Sequence, residues 1–320
     1  MTSLFVHRPR LPTKTAAAVT SSDCYSNKLA IGTENGVIDL FDTSYPMKPS
    51  YRGKIVAQMP SETLSVQFIG ESSESLVFGG AGGFLTLAST KSFQHLHIET
   101  LNEAIWTISR CPSNPNLIAV GCDESIRLYT ASECSLELTR IFPVQPNKIL
   151  AIDWDPSGNF LLTASQNMVS LWSFSKQSTT IVPYNIRNFR LATSRQQDNA
   201  IWSLKFLCND TAVTGDSSNR TVFWDLKTGT SIAEFRAHEA PVLAIETGKD
   251  RKLVYATGAD SRIFEFYYNE DKNNWCQGAC FHTSSPYDIN WGILLKFTQK
   301  FVKNLVTIFL NFSLLAKNIR

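Results

Sequence analysis

A two-strand unit recurs six times along the chain. Its copies are KLAIGTENGVIDLFD (28–42), SLVFGGAGGFLTLAS (75–89), LIAVGCDESIRLYT (117–130), FLLTASQNMVSLWS (160–173), DTAVTGDSSNRTVFWD (210–225) and KLVYATGADSRIFEFY (252–267). In each, an apolar run closes on a small residue, a short polar turn follows, and a second apolar run leads to one slot. That slot holds Phe41, Ala88, Tyr129, Trp172, Trp224 and Phe266 in turn, so Ala88 is the exception to an aromatic rule. Successive slots lie 47, 41, 43, 52 and 42 residues apart. Strand pairs repeated at this period are the signature of propeller blades, not of helical repeats.

The residues around the slot give the physics. One and three positions before it stand mostly apolar residues, such as Leu40 and Ile38 or Leu171 and Val169. Residues two apart share a strand face and the slot residue points to the other, so both faces near the strand's end are apolar. That pattern fits a sheet covered on both sides; Glu265 breaks it in the sixth unit. The turns carry Gly36, Gly82, Gly83, Asn167 and Asn219, residues that accept positive φ. Upstream of each hairpin except the first lies a further strand-like run: LSVQF (64–68), IWTIS (105–109), ILAIDW (149–154), IWSLKF (201–206) and VLAIE (242–246), with AAAVT from residue 15 as a weaker equivalent. Helical 3.6-residue patterning is absent before residue 291. The expectation is an all-β, WD-repeat β-propeller over 15–290 with six recognisable blades and an incomplete seventh, which starts at WCQGACFHTSSPYDIN (275–290).

The Trp224–Asp225 pair and His238 belong to this construction. His238 precedes the inner strand of the sixth unit, Asp260 stands six residues before Phe266, and Asp123 stands six before Tyr129. A histidine so placed would hydrogen-bond a buried aspartate and tie a loop to its blade. These are structural roles, and no residue is assigned to catalysis.

Other chemistry-bearing patterns do not assemble into a site. GGAGG (79–83) resembles a phosphate loop but leads into a strand, where such a loop needs a helix N-terminus. His95 and His97 supply two ligands without a third. Cys276, Cys280 and His282 sketch a zinc corner that lacks a second ligand pair at a usual spacing. The seven cysteines contain no Cys-X-X-Cys pair and read as reduced thiols. The N-terminus has no apolar core of signal-peptide length, so secretion is not expected. No nucleophile elbow, Walker loop or metalloprotease motif occurs, and no polar cluster in the central channel is evident. No cofactor, metal or small-molecule substrate is implied.

Charge bears on partners. Thirty basic and 28 acidic residues leave +2, too little for a domain that grips nucleic acid through phosphates alone. Two basic features stand out. HRPR contributes His7, Arg8 and Arg10 in the N-terminal segment 1–14. The longest connection, KQSTTIVPYNIRNFRLATSRQQD (176–198), carries Lys176, Arg187, Arg190 and Arg195, interleaved with Tyr184 and Phe189. Arginines in that company can contact phosphate and stack on bases or rings; a solvated loop is the alternative.

VHRPR (6–10), AIWTISRCPSNPNLIAVGCDESIRLY (104–129), ILAIDWDPSGNFLLTAS (149–165) and AIWSLKFLCNDTAVTGDSSNRTVFWDLKTGT (200–230) together resemble the N-terminal half of the cirhin family, nucleolar subunits of the small-subunit processome. The resemblance runs from about residue 5 to 290. It implies a scaffold without catalytic activity that supports small-subunit rRNA maturation and ribosomal DNA transcription. The implied partners are other propeller and helical-repeat subunits together with pre-ribosomal RNA, in the nucleolus of the nucleus and with no membrane; from their charge, the basic residues are expected to meet RNA or an acidic partner. The family carries two consecutive propellers and this chain at most one. A generic WD-repeat adaptor of a ubiquitin ligase or chromatin complex is the rival reading of the same fold. The last segment, 291–320, has five cations and no acid. It lacks the roughly 20 uncharged residues of a spanning helix, and is expected to be helical or disordered, leaving the ring open.

Overall fold

The computed structural model describes residues 3–7, 17–45, 49–59, 61–177, 180–191, 199–248, 250–260, 262–282 and 305–309. Among these residues there is no helix. Six four-stranded antiparallel sheets follow one another along the chain, each built from four consecutive strands. Over the described residues the chain is an all-β, WD40-type propeller of six blades. The inner strands are Val19–Tyr25, Ser65–Ile69, Ile105–Arg110, Ala151–Trp154, Ile201–Phe206 and Val242–Thr247 in blades 1 to 6. Each recurring hairpin of the sequence forms the two middle strands of its blade.

The core is a set of layers between blades. Leu162, Val169, Leu171 and Phe189 of blade 4 meet Leu204, Ala212 and Trp224 of blade 5, and blade 3 meets blade 4 through Ala119, Leu128, Trp154 and Trp172. Similar layers join blades 1 and 2, 2 and 3, and 5 and 6. Blades 6 and 1 share no comparable packing among the described residues. The small residue that closes each apolar run now has a cause. A Cβ on Gly79 would stand 2.7 Å from Ile105, one on Gly121 2.7 Å from Ile149, and one on Gly215 2.6 Å from Val242. The next blade's β-branched residue occupies that space, so the strands can approach only over glycine.

The aromatic slot obeys hydrogen-bond satisfaction. Trp172 Nε1 donates to Thr163 and Trp224 Nε1 to Thr214, each at 3.0 Å. The residue equivalent to those threonines, two along from the slot's register partner, is Ala256 for Phe266 and Ile31 for Phe41. A buried indole has a hydroxyl across from it, and a phenyl ring has an apolar neighbour. Glu265, which breaks the apolar rule, accepts a hydrogen bond from the Tyr255 hydroxyl at 2.9 Å. Of the turn residues, Gly36, Gly83, Asn167 and Asn219 have positive φ and Gly82 does not.

Three expectations change. The stretch beginning at Trp275 opens no seventh unit: Asn274–His282 is the outer strand of blade 6, and Trp275 stacks on Phe223 with ring centroids 4.5 Å apart. The connection after Lys176 is mostly strand. Met168–Gln177 and Thr180–Arg190 form a long ribbon that supplies the outer half of blade 4. In the C-terminal segment Leu305–Phe309 is a strand parallel to Ser3–His7, where helix or disorder was expected; the rest of 291–320 lies outside the described residues.

Candidate functional site: the central channel and the basic outer strand

The six inner strands line one cavity of about 770 Å³. Their registers align Asp23, Gln67, Ser109, Asp153, Lys205 and Glu246 at one level, because each pairs with the equivalent residue of its neighbouring strand. The channel therefore does hold a polar ring, one residue from each blade, contrary to the sequence-based expectation. An inner strand is also an edge strand, and its outward N–H groups need partners. The ring and its neighbours supply some of them across blade boundaries. Asp23 accepts from the Phe68 amide at 2.7 Å and from Gln67 Nε2 at 2.6 Å. Asp153 accepts from the Phe206 amide at 2.8 Å, and Ser65 Oγ from the Ile108 amide at 2.9 Å.

The electrostatics are uneven around this ring. Lys205 pairs with Glu246 at 2.9 Å. Burial lowers the ammonium's pKa, but Glu246 and Asp153 outweigh it and leave it raised. Burial pushes the Asp23 and Asp153 carboxyls above the ordinary range, more than the Phe68 amide and Arg110, or Lys205 and Arg251, pull them back. Nearer the mouth, past a level of small residues that includes Ser65, Thr107 and Ser203, the lining becomes apolar: Leu64, Trp106, Leu150, Trp202 and Leu243, with Thr20. Thr20, Trp106, Trp202 and Leu243 sit at β-bulges, which turn their side chains toward the channel.

At the rim, blades 5 and 6 carry buried polar clamps. His238 Nδ1 lies 3.0 Å from both oxygens of Asp260, which also accepts from the Glu239 and Arg262 amides. In blade 5 the corresponding centre is Asp216, fully buried, which accepts from Asn199 Nδ2, from the Ser218 and Arg220 amides and from Arg220 Nε. Sequence reasoning missed Asp216 and Asn199. In blade 3 Asp123 accepts from Trp106 Nε1 at 2.9 Å and from the Ala104 amide, and Tyr129 donates to Glu99. Asp225 caps its own turn, accepting from the Lys227 amide and the Thr228 hydroxyl.

The basic residues separate. Arg187 and Arg190 are exposed on the outer strand of blade 4, but three residues apart on a strand they face opposite ways. Arg187 lies on the side toward blade 5, where its Cδ packs beside Gly229. Phe189 is buried against Trp224, so it is no stacking platform, whereas Tyr184 is exposed. Lys176 and His7 lie in strands whose side chains are outside the described residues, as are Arg8, Arg10 and Arg195 altogether. His95 Nε2 lies 2.8 Å from the Val56 carbonyl. Among the described residues no group of three or more His, Cys, Asp or Glu could hold a metal.

Comparison with known proteins fits this architecture. The WD domain, G-beta repeat family profile matches residues 136–173, which is the outer strand of blade 3 followed by three strands of blade 4. The chain is 25% identical over 300 residues to U3 small nucleolar RNA-associated protein 4 of Saccharomyces cerevisiae, covering 86% of this chain and 38% of that protein. It is 24% identical to the Homo sapiens homolog, over 75% of this chain and 34% of the relative. It is also 25% identical to the p21-activated protein kinase-interacting protein 1-like protein of Danio rerio, over 78% and 62%. The chain spans about a third of the length of the first two relatives.

Proposed function

We propose that this propeller is a binding platform of the U3 small nucleolar RNA-associated machinery that matures small-subunit rRNA. The observation that supports it most is the alignment of 86% of the chain with a protein of that name, in step with a fold whose polar residues clamp blades together. In this reading the chain works in the nucleolus as a scaffold, holds other propeller and helical-repeat subunits, and supports ribosomal DNA transcription. Direct RNA contact would fall to His7, Arg8, Arg10, Lys176, Arg187, Arg190 and Arg195. Since Arg187 and Arg190 face opposite ways, they would engage two phosphates on either side of the projecting ribbon. The lack of a large net charge makes such contact local, with protein partners providing most of the binding.

Two measurements test this. A tagged copy is expected in the nucleolus and should co-purify with ribosome-assembly factors; recovery of ubiquitin-ligase or chromatin subunits in their place would establish the adaptor reading. Replacing Arg187, Arg190 and Arg195 together by Ala should leave the melt unchanged. It should also flatten the log–log salt dependence of particle association by about 2–3, at just under one unit for each phosphate left without its arginine. An unchanged slope would remove these arginines from any RNA interface.

A further inference from the structure

We propose that the mouth of the central channel binds a lysine or arginine side chain presented by a basic, extended segment of a partner protein. The cavity has the layered chemistry of an alkyl cation. Its entrance is the apolar collar of Leu64, Trp106, Leu150, Trp202 and Leu243, and its inner level holds Asp23, Asp153 and Glu246. Five carboxylates (Asp23, Glu34, Glu62, Asp153 and Glu246) line it against two cations, Arg110 and Lys205. Trp202 and Lys205 are three residues apart, so collar and ring are separated by roughly 10 Å of strand. A long alkyl stem lying along apolar surface spans most of that depth and carries its charge toward the acids.

Three observations point to a ligand beyond the acids themselves. The collar already receives a cation from its own chain: Lys148 Nζ sits 4.4 Å from the Trp106 ring centroid. The other collar indole, Trp202, has no such cation among the described residues. Asp153 uses one oxygen, Oδ2, to hold the next blade's amide, which leaves Oδ1 for an incoming donor. Ser203 lines the same cavity and is nine-tenths buried, and its Oγ has no hydrogen-bond partner. A phosphate or an acidic peptide would have to approach against the five carboxylates, so the charge selects a basic segment over nucleic acid.

The test uses the purified full chain with three labelled probes, octalysine, octaglutamate and octauridylate, followed by fluorescence anisotropy and by tryptophan emission. Octalysine is expected to bind and to perturb the emission. The double variant Asp23→Asn/Asp153→Asn should weaken it about tenfold by removing two charges that face the cation. Trp202→Ala should weaken it several-fold by removing the open ring. Asparagine keeps a carbonyl oxygen for the Phe68 and Phe206 amides, so both inter-blade bonds can persist. Should that variant still fail to fold, Leu150→Arg places a tethered cation in the collar and is expected to abolish octalysine binding in a folded chain. Glu270→Gln, on a surface pair with Lys252, is the control and should change nothing. Absence of octalysine binding, equal binding by wild type and the channel variants, or preference for octauridylate would each overturn the proposal.

Discussion

Replacing Asp216 by Ala is expected to cost about 3 kcal/mol of stability, because removing one partner of a buried pair leaves the other charge poorly compensated. The carboxylate is fully buried and collects four donors at 2.8–3.0 Å. Two come from Arg220, whose side chain is only 6% exposed. In the variant the guanidinium keeps Glu234 at 4.0 Å, which holds the loss at the lower end of the range for such pairs. The Ser218 and Arg220 amides lose their acceptor as well, while the Ser217 contacts to Ala200 and Asn199 still tie the turn to the blade. In a chain of this size the loss corresponds to a fall in melting temperature of roughly 4–5 °C. A double-mutant cycle separates the pair from general damage. Asp216→Ala/Arg220→Met should lose clearly less than the sum of the two single changes, because the second removes the charge that the first strands. Additive losses would show that the two residues do not act together.

The distance between what the sequence displays and what the structure holds is instructive at Asp216. Counting six residues back from the slot aromatic finds Asp260 before Phe266 and Asp123 before Tyr129. In blade 5 the turn is two residues longer, so the same count from Trp224 lands on Ser218. The blades themselves were legible because their signal is redundant: two apolar faces, a small closing residue and a turn recur at every copy. The channel ring was not. Each blade gives it one polar residue inside a short apolar strand, which in isolation reads as ordinary alternation, and only the registers bring Asp23, Asp153, Lys205 and Glu246 to one level. The outer strand of blade 4 was hidden by Pro183. Proline argues against a central strand, but on an edge strand some N–H positions face solvent and its missing donor is tolerated. The same residues then redistribute the basic candidates, because an extended strand sends Arg187 and Arg190 to opposite sides, where a loop would let them converge.

Asp260→Ala should be the second most damaging single change, at about 2–3 kcal/mol from a buried network left without its acceptor. The imidazole of His238 is completely buried and Asp260 nearly so. Only the Nδ1 side of the ring is partnered, since Nε2 has no hydrogen-bond partner. Removing the carboxylate would therefore leave the whole ring without one, together with the Glu239 and Arg262 amides. Its pH dependence has a definite sign. Burial alone would raise the Asp260 pKa, but His238 and the Glu239 and Arg262 amides outweigh it and hold the carboxyl below its ordinary value of 3.8. A carboxyl depressed on folding contributes stability that is fully present above its unfolded pKa and is lost as pH falls through the folded one. Chemical denaturation of wild type and variant should thus differ by a constant amount above about pH 5, and the difference should shrink below about pH 4 as the wild type loses the contribution. A difference that instead grew on acidification would mean that the protonated carboxyl, as a donor, is the form that holds His238 in place.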